Sequence, residues 1–297
     1  MQGVLLLGGA TTSGKTESAI ALAQRFGAEI VGADSRQIYR EMPVGTAMPT
    51  AEQLASVPHH LVGFLDPYER YSAARFALDA MRVIDEIHAR GKRAIVAGGT
   101  GFYLRALAGG VELAAQYDPS IRERLARESL VHPPEAMHAW LTALDPERAA
   151  TIAPKDRYRV LRALEIRLSH ASAGDRKGSL PTLKLRGIPF AYAVLDVPLA
   201  QLDERIESRV TSMLEAGFVE EAERIGLFAA ASTAVGYPQA IAWTRGWSTK
   251  SEVRAGLARE TRRYARRQRT WFRGEPLARA VAPSELPALA RETIGWQ

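Results

Sequence analysis

An eight-residue segment with the pattern of a phosphate-binding loop constrains this sequence more than any other feature. Residues Gly9 to Thr16 read GATTSGKT and directly follow the apolar run Val4 to Leu7. In such loops, backbone N–H groups and the start of the next helix hold phosphate oxygens, and Lys15 supplies a positive charge. The Thr16 hydroxyl is suited to a Mg²⁺ shell. The order strand, loop, helix predicts an α/β fold and a ligand with a diphosphate or triphosphate.

One carboxylate, Asp34, stands where the second predicted strand ends. It follows the segment Ala28 to Ala33, whose apolar character is that of a buried strand. Open α/β sheets bind ligands at the carboxyl ends of their strands, so Asp34 is expected near the phosphates. The alternative is structural: Asp34 and Ser35 precede an apolar-periodic stretch, and both residue types are common helix N-caps.

A third predicted strand, Ala94 to Ala97, ends in glycine. An ATPase usually has an Asp there to organise Mg²⁺, so this ending argues against a motor or an ATPase. Gly98 and Gly99 allow another backbone or a ligand to come close, and Thr100 offers a hydroxyl. A plain tight turn is the alternative.

Composition limits the class of protein. The 297 residues, 46% of them hydrophobic, suffice for a substantial core in one or two domains. The absence of cysteine excludes disulfides, thiol catalysis and zinc–thiolate sites, and it fits a reducing cytoplasm. No apolar run has the length of a membrane span and no signal-peptide pattern precedes Val4. We therefore expect a cytoplasmic protein without a membrane partner, and a monomer by default.

Arginine is concentrated near the end of the chain. The net charge of +6 suggests a polyanionic partner only weakly, but eight arginines and one acid lie between Arg254 and Arg273. Like charges one turn apart destabilise a lone helix by roughly 0.2–0.5 kcal/mol, which RNA phosphates would offset. Nucleic-acid contact is thus favoured over a solvated helix face. Helical spacing gives one stripe of Arg259, Arg262, Arg266, Arg269 and Arg273 and another of Leu257, Tyr264 and Trp271.

The succession of patterns predicts a sheet core interrupted by helices. Strand-like runs stop after Leu107 and resume at Ala191, and proline-marked helix starts lie between them. We predict a P-loop NTPase-like parallel sheet core whose first part is residues 1–110. A mainly helical insertion follows at 111–189, and the second part of the core, with the Arg-rich helix, is 190–297.

Two further groups of charged residues have open interpretations. Arg205 and Arg209 lie one helical turn apart and either contact a phosphate or pair with Asp203, Glu204 or Glu207. The segment Asp156 to Glu165 combines arginines with an apolar stripe, which suits RNA contact and a solvated helix equally. The histidines show no metal-like grouping, and we assign them no chemistry.

Seven segments, in order and over most of the chain, resemble the bacterial tRNA dimethylallyltransferases, also called tRNA isopentenyltransferases. A phosphate loop alone would be a weak signal, but the ordered set is specific. The segments are GATTSGKT (9–16), DSRQIYREMPVGTAMP (34–49), GGTGFYLRAL (98–107), DRYRVLRALEI (156–166), RIESRVTSMLEAGF (205–218), AVGYPQA (234–240) and TRRYARRQRTWFR (261–273).

The resemblance implies transfer of a dimethylallyl group from dimethylallyl diphosphate to the exocyclic N6 amine of the adenine 3′-adjacent to the anticodon in tRNA. Asp34 would be the base, and Lys15, Thr16 and Mg²⁺ would receive the charge of the leaving diphosphate. The implied diphosphate-binding residues are Gly9, Ala10, Thr11, Thr12, Ser13, Gly14, Lys15, Thr16, Arg205 and Arg209. Those implied for the tRNA anticodon stem-loop are Asp34, Ser35, Arg36, Gln37, Thr100, Arg122, Tyr158, Arg159, Val160, Leu161, Arg162, Gly236, Tyr237, Arg262, Arg266, Arg267, Gln268, Arg269, Trp271 and Arg273.

The sequence departs from the family pattern at a few positions. The family loop usually reads GPTASGKT, and here Ala10 and Thr12 replace Pro and Ala. Pro238 stands where a basic or polar residue usually follows Gly-Tyr, which puts one RNA contact in doubt. None of these changes removes a catalytic group.

Three other functions share part of these features. A small-molecule or nucleotide kinase would use the loop and Asp34 but not the Arg-rich stretch. A prenyltransferase acting on free adenine nucleotides would share the chemistry without needing the insertion. A non-catalytic RNA-binding protein would leave the loop idle.

Overall fold

A parallel sheet forms the centre of the chain. The computed structural model describes residues 2–111, 119–173 and 180–297. The strands of these residues are β1 (Val4–Gly9), β2 (Ala28–Gly32), β3 (His59–His60), β4 (Arg93–Ala97), β5 (Phe190–Leu195) and β6 (Arg279–Val281). They lie in the order β3-β2-β4-β1-β5-β6, and every pairing is parallel. The predicted fold class is confirmed.

Helices connect the strands and form the second unit. They are α1 (Lys15–Phe26), α2 (Pro43–Thr46), α3 (Ala51–Ser56), α4 (Ala73–Ala89), α5 (Gly101–Ala108), α6 (Pro119–Val131), α7 (Pro134–Leu144), α8 (Pro146–Ala150), α9 (Arg157–Ala173), α10 (Leu199–Glu215), α11 (Phe218–Ile225), α12 (Tyr237–Thr244), α13 (Lys250–Arg273) and α14 (Leu286–Ile294). Across the described ranges, none of them is long and apolar enough to cross a membrane.

The apolar run of β1 is buried on both faces of the sheet. Successive side chains of a strand point to opposite faces, so Val4 and Leu6 pack with α4 and α5. Leu5 and Leu7 pack with α1 and α14 instead. Burial on both faces explains why the strand is a continuous apolar run rather than an alternating one. It also places the phosphate loop, which follows β1, at the middle of the sheet edge.

The chain divides into two compact units. Unit 1 comprises Met1–Glu112 and Pro181–Gln297, and unit 2 comprises Leu113–Leu180. Unit 2 therefore ends before the predicted residue 189. Leu183 and Ile188 are buried in the cluster of unit 1 that covers the sheet, and Leu183 N–H donates to Leu107 O at 2.9 Å. The apolar side chains of these two residues, not the glycines and prolines around them, decide the boundary.

Unit 2 is helical, as predicted. Its helices α6, α7 and α8 begin at Pro119, Pro134 and Pro146, the predicted proline starts. Asp145 caps α8 by accepting a hydrogen bond from the Arg148 N–H at 3.0 Å. Asp118, which precedes the proline start of α6, lies outside the described residues.

Candidate active site

The phosphate loop leaves the start of α1 open to a ligand. Gly14, immediately before α1, has a left-handed φ of 88°, and in the described structure no side chain caps the helix. The first N–H groups of α1 are thus free to hold an anion. Thr12 has a φ of 61°, which non-glycine residues rarely adopt. The loop keeps its cradle with Thr12 at the position where the family usually has alanine.

Lys15 folds back over this loop. Its Nζ donates a hydrogen bond to Ala10 O at 2.6 Å. Burial lowers the pKa of Lys15 to about 8; Asp34 opposes the shift and Arg209 adds to it. Lys15 is therefore still mainly protonated at neutral pH, but its charge is poorly solvated. A diphosphate would supply the missing counter-charge.

Two arginines of α10 hold the other side of the loop. Arg209 donates from Nη1 to Thr11 Oγ1 at 2.8 Å, and Arg205 donates from Nη1 to Thr12 O at 3.1 Å. Of the three acids considered as alternative partners, Asp203 and Glu207 pair with Arg262 instead, and no ion pair of Glu204 occurs among the described residues. The structure thus directs Arg205 and Arg209 to the loop.

Three buried polar atoms around the loop lack hydrogen-bond partners within the described residues: Thr12 Oγ1, Ser13 Oγ and Arg209 Nε. Buried polar groups are nearly always satisfied, so these atoms indicate a ligand site. Two hydroxyls and a guanidinium N–H can all donate to phosphate oxygens. Burial also lowers the pKa of Arg209, which Asp34 partly offsets.

Asp34 lies at the end of β2, in a turn rather than at a helix start. Its Oδ1 accepts a hydrogen bond from the Arg36 N–H at 2.9 Å, so the helix N-cap alternative does not hold. The Ser35 N–H donates to Thr100 Oγ1 at 2.9 Å, and this hydroxyl donates to Ser35 Oγ at 3.2 Å. Thr100 therefore fixes the segment that carries Asp34.

Gly98 makes this arrangement possible. A Cβ atom on Gly98 would lie 2.0 Å from Ala33 O, so the ends of β2 and β4 approach too closely for any side chain at this position. The structure thus contains the close backbone approach that was predicted at Gly98. The backbone that approaches it is that of Ala33, the residue before Asp34.

A cavity of about 850 Å³ in unit 1 joins these parts. Thr11 to Thr16 line it, and so do Arg205 and Arg209. Gly9 and Ala10 do not; a side chain on Gly9 would meet Ser13 Oγ. The residues implied for tRNA that also line it are Asp34, Ser35, Arg36, Gln37, Arg267 and Gln268.

Tyr264 is a cavity residue that the sequence analysis placed only on an apolar stripe. Its ring lines the cavity from α13. Burial raises the pKa of the Tyr264 hydroxyl, and Asp34 adds to this shift. Tyr264 is therefore a neutral wall of the cavity. The sequence did contain a signal for this role: Tyr264 lies among arginines, at the spacing that places residues on one face of a helix.

A buried acid, Glu221, is a second residue that sequence reasoning missed. It is 1% exposed and accepts hydrogen bonds from the N–H groups of Val44 and Gly45 and from the Tyr237 hydroxyl. It thereby holds α2. The carbonyl of Thr46 in α2 and that of Ala47, the next residue, both accept hydrogen bonds from the side-chain Nε2 of Gln37. The signal was present in the sequence: Glu221 falls on the apolar face of α11, where a charge needs buried partners.

The arginines of α13 differ in whether they form an ion pair with an acid on another part of the chain. Arg262 pairs with Asp203 and Glu207, while Arg269 and Arg273 both bind Asp196, at 2.7 and 3.1 Å. Arg259, Arg263, Arg266 and Arg267 are exposed. The predicted free stripe was therefore only partly right, because acids on and before α10 neutralise one side of it.

Four residues implied as tRNA contacts are packed inside unit 1. Gln268 is 7% exposed, and both ends of its amide bond to backbone groups. Tyr237 is fully buried and Gly236 is buried at a left-handed φ of 90°. Trp271 is partly buried against Gly101, with the Arg105 guanidinium 4.4 Å from its ring. Their placement favours structural roles.

Unit 2 likewise contains both buried and exposed residues of the implied tRNA set. Arg122 and Arg162 both bind the buried carboxylate of Glu165, at 2.9 and 2.7 Å. Val160 is 0% exposed and belongs to the core of unit 2, so its side chain is not available to RNA. Arg159 and Tyr158 are exposed, and Leu161 is half-buried.

Among the described residues, no group of three His, Asp or Glu side chains forms a metal cluster. Around the phosphate loop, the Thr16 hydroxyl and the Asp34 carboxylate are oxygen atoms that could bind a metal ion, and both residues line the same cavity. This sparse oxygen set fits Mg²⁺, which usually keeps several waters and binds through one or two protein ligands plus substrate phosphates.

A parallel sheet with a phosphate loop after its strand β1 and a carboxylate just after β2, two strands away, defines a P-loop-type enzyme that binds a phosphorylated ligand. Residues 37–275 match the family model described as IPP transferase, and residues 2–62 match that described as isopentenyl transferase. The chain belongs to the IPP transferase family.

Named relatives agree over nearly the full chain. The tRNA dimethylallyltransferase of Myxococcus xanthus is 44% identical over 299 residues, covering 96% of this chain and 94% of the relative. The crystal structure of a tRNA isopentenylpyrophosphate transferase from Bacillus halodurans is similar with a TM-score of 0.70 at 32% identity, covering 99% of this chain and 98% of the other. A eukaryotic dimethylallyltransferase acting on tRNA gives a TM-score of 0.77 at 25% identity, with 98% of this chain and 76% of the other covered.

Proposed function

We propose that this protein is a tRNA dimethylallyltransferase that transfers the dimethylallyl group of dimethylallyl diphosphate to the N6 amine of the adenine 3′-adjacent to the anticodon. One observation carries the proposal: a single cavity holds a cationic phosphate loop and, across from it, a carboxylate. Such a cavity can stabilise a diphosphate leaving group and receive a proton.

The cations of the loop act on the leaving group. When the carbon–oxygen bond of dimethylallyl diphosphate breaks, its electron pair moves to a diphosphate oxygen, where negative charge grows. Lys15, Arg205, Arg209 and the free N–H groups of α1 are already in place around this position. Preorganised donors of this kind stabilise a transition state because they need not reorient. Mg²⁺ held by Thr16 would supply further charge to the diphosphate oxygens.

Asp34 acts on the nucleophile. The N6 nitrogen forms the new bond to carbon and loses one proton, which Asp34 accepts. An adenine amine is a weak nucleophile, so correct placement supplies much of the acceleration. Ser35 and Thr100 contribute by fixing the turn that carries Asp34.

Exposed cationic residues bind the RNA. We propose that exposed side chains contact the phosphates and bases of the anticodon stem-loop: Arg263, Arg266 and Arg267 on α13, and Tyr158 and Arg159 on α9. The adenine has to leave its stack to reach the cavity, at a cost of a few kcal/mol that these contacts offset. We further propose that the protein acts as a monomer.

Incubation with radiolabelled dimethylallyl diphosphate and Mg²⁺ tests the proposal, with unmodified tRNA, AMP or ATP offered in parallel. We expect label on tRNA alone. Label on AMP or ATP alone, or on no acceptor, would contradict it.

Substitution of the base gives a sharper result. Asp34→Asn keeps the shape and loses the proton acceptor, so kcat should fall by about 10²- to 10⁴-fold with tRNA affinity nearly unchanged. Asp66→Asn, which alters a carboxylate outside the cavity, is the matched control. Near-normal turnover of Asp34→Asn would exclude Asp34 as the base.

A further inference from the structure

We infer that Gln268 is a positioning residue that sets the separation between the phosphate loop and Asp34. This inference rests on the proposed function. Gln268 lies on α13 among exposed arginines, yet its own side chain is buried at 7% exposure. Its Oε1 accepts a hydrogen bond from the Thr11 N–H at 2.8 Å, and its Nε2 donates to Gly99 O at 2.8 Å.

Both hydrogen bonds require an amide in one orientation. Thr11 offers an N–H donor and Gly99 offers a carbonyl acceptor, so only an oxygen facing Thr11 and an NH₂ facing Gly99 satisfy the two groups. A carboxylate would lose the bond to Gly99, and an apolar side chain would lose both. The buried Gly99 carbonyl and the partly buried Thr11 N–H then lose this hydrogen-bond partner.

The amide links the tips of two adjacent strands. β1 and β4 pair in parallel, with Leu7 opposite Ala97, so the phosphate loop and Gly99 leave the sheet side by side. A Cβ atom built on Gly99 would lie 2.4 Å from Gln268 Nε2 and 3.3 Å from Asp34 Oδ2. The amide therefore lies next to both the diphosphate site and the carboxylate.

Displacement of either loop would change the distance between leaving group and proton acceptor. A misplacement of about 1 Å costs on the order of 10²-fold in rate when reacting groups are otherwise aligned. Arg263, Arg266 and Arg267 of α13 are exposed and available to RNA, whereas Gln268 is buried and already uses one N–H and one oxygen lone pair on backbone groups. Its contribution is thus to kcat rather than to RNA affinity.

The first experiment compares Gln268→Met and Gln268→Glu with the wild type. For Gln268→Met we expect kcat to fall about 10- to 100-fold, with KM for tRNA within about twofold. Gln268→Glu keeps the hydrogen bond to Thr11, so its kcat should lie between the kcat of Gln268→Met and that of the wild type. Thr270→Ala, at an exposed position two residues further along α13, is the matched control. A lower Tm with unchanged kcat well below that Tm would overturn the inference and leave Gln268 a purely structural residue.

A double-mutant cycle with Gly99→Ala separates this role from a general disturbance. The added methyl should displace the Gln268 amide and lower kcat by itself. With Gln268→Ala in place the methyl has room, so Gly99→Ala should then add little to the loss. Independent, additive losses would mean that the methyl acts through Asp34 and that the amide does not position the loop.

A binding measurement keeps the test separate from the proposed function. Inorganic pyrophosphate, titrated into each variant by calorimetry, reports on the loop without any acceptor. We expect its affinity to fall about 3- to 10-fold in Gln268→Met, since the loop loses a fixed backbone contact. If the wild type transferred no label to tRNA, this loss would still support the inference. Unchanged pyrophosphate affinity together with unchanged kcat would contradict it.

Discussion

Lys15 shows how much a single residue depends on its neighbours in this cavity. The cation is held against Ala10 O, near Arg209, and Asp34 and Glu17 are the cavity acids that act on it among the described residues. Burial and the nearby arginine lower its pKa to about 8. The free enzyme thus begins to lose this charge in a mildly alkaline solution, whereas an ordinary lysine keeps it up to about pH 10.

Pyrophosphate affinity should therefore depend on pH. The protonated form of Lys15 binds the anion, so its contribution is complete below the pKa and is lost as pH rises through about 8. Calorimetric titrations of pyrophosphate from pH 6.5 to 9.5, roughly spanning that value, would measure the loss.

Lys15→Arg is the control, because its guanidinium keeps its charge over this range. Pyrophosphate itself gains charge on going to higher pH, and the variant records that opposing effect alone. Parallel profiles for wild type and Lys15→Arg would show that Lys15 does not titrate as described.

At the scale of elements, α13 serves two surfaces at once. Arg269 and Arg273 hold Asp196 at the end of β5, while Arg266 and Arg267 remain exposed. Burial alone would raise the pKa of Asp196, but hydrogen bonds from Arg269 and Arg273 outweigh it and lower the pKa. The helix is therefore attached by some of its arginines and displays the others.

This division predicts different results for neighbouring arginines. Arg266→Gln should weaken tRNA binding and reduce the slope of log K against log salt concentration by about 0.7–0.9, the value for one lost phosphate contact. Arg269→Gln should leave that slope nearly unchanged and lower the free energy of unfolding instead, because Asp196 loses its closest partner. Filter binding over a salt series and urea denaturation would measure the two effects. An equal loss of slope in both variants would show that the pairing with Asp196 gives way to RNA.

At the scale of the whole molecule, the insertion leaves and rejoins unit 1 at neighbouring points. Leu183 N–H bonds to Leu107 O across the two connections, and the described residues that line the cavity all belong to unit 1. A short linker can therefore replace residues 113–180 without reaching the phosphate loop.

A chain with this replacement should bind pyrophosphate with an affinity within about twofold of the wild type, since distant changes act independently. Its tRNA affinity should fall at least about 10-fold, because the cationic surface of α9 is lost. Thermal melting by circular dichroism would verify that unit 1 is folded. Unchanged tRNA affinity would show that unit 2 does not contribute to RNA binding.

The features predicted from sequence were the local ones. The phosphate loop, the position of Asp34 after a strand and the proline starts of α6 to α8 follow from short patterns that fix their own conformation. Glu221 and Gln268 act through partners 177 and 257 residues away, and no local pattern reveals such a contact. The pairing of Arg269 with Asp196 was missed for the same reason.

Because Gln268 and Thr11 are 257 residues apart in the sequence, their hydrogen bond affects the order in which parts of the protein fold during translation. The phosphate loop leaves the ribosome before unit 2, but β5, the second neighbour of β1, emerges only after it. Thr11 gains its backbone partner later still, when α13 has been synthesised. A nascent chain can therefore complete its helical insertion before it has a finished cavity, and it acquires the capacity to bind its donor substrate only after α13 has been synthesised.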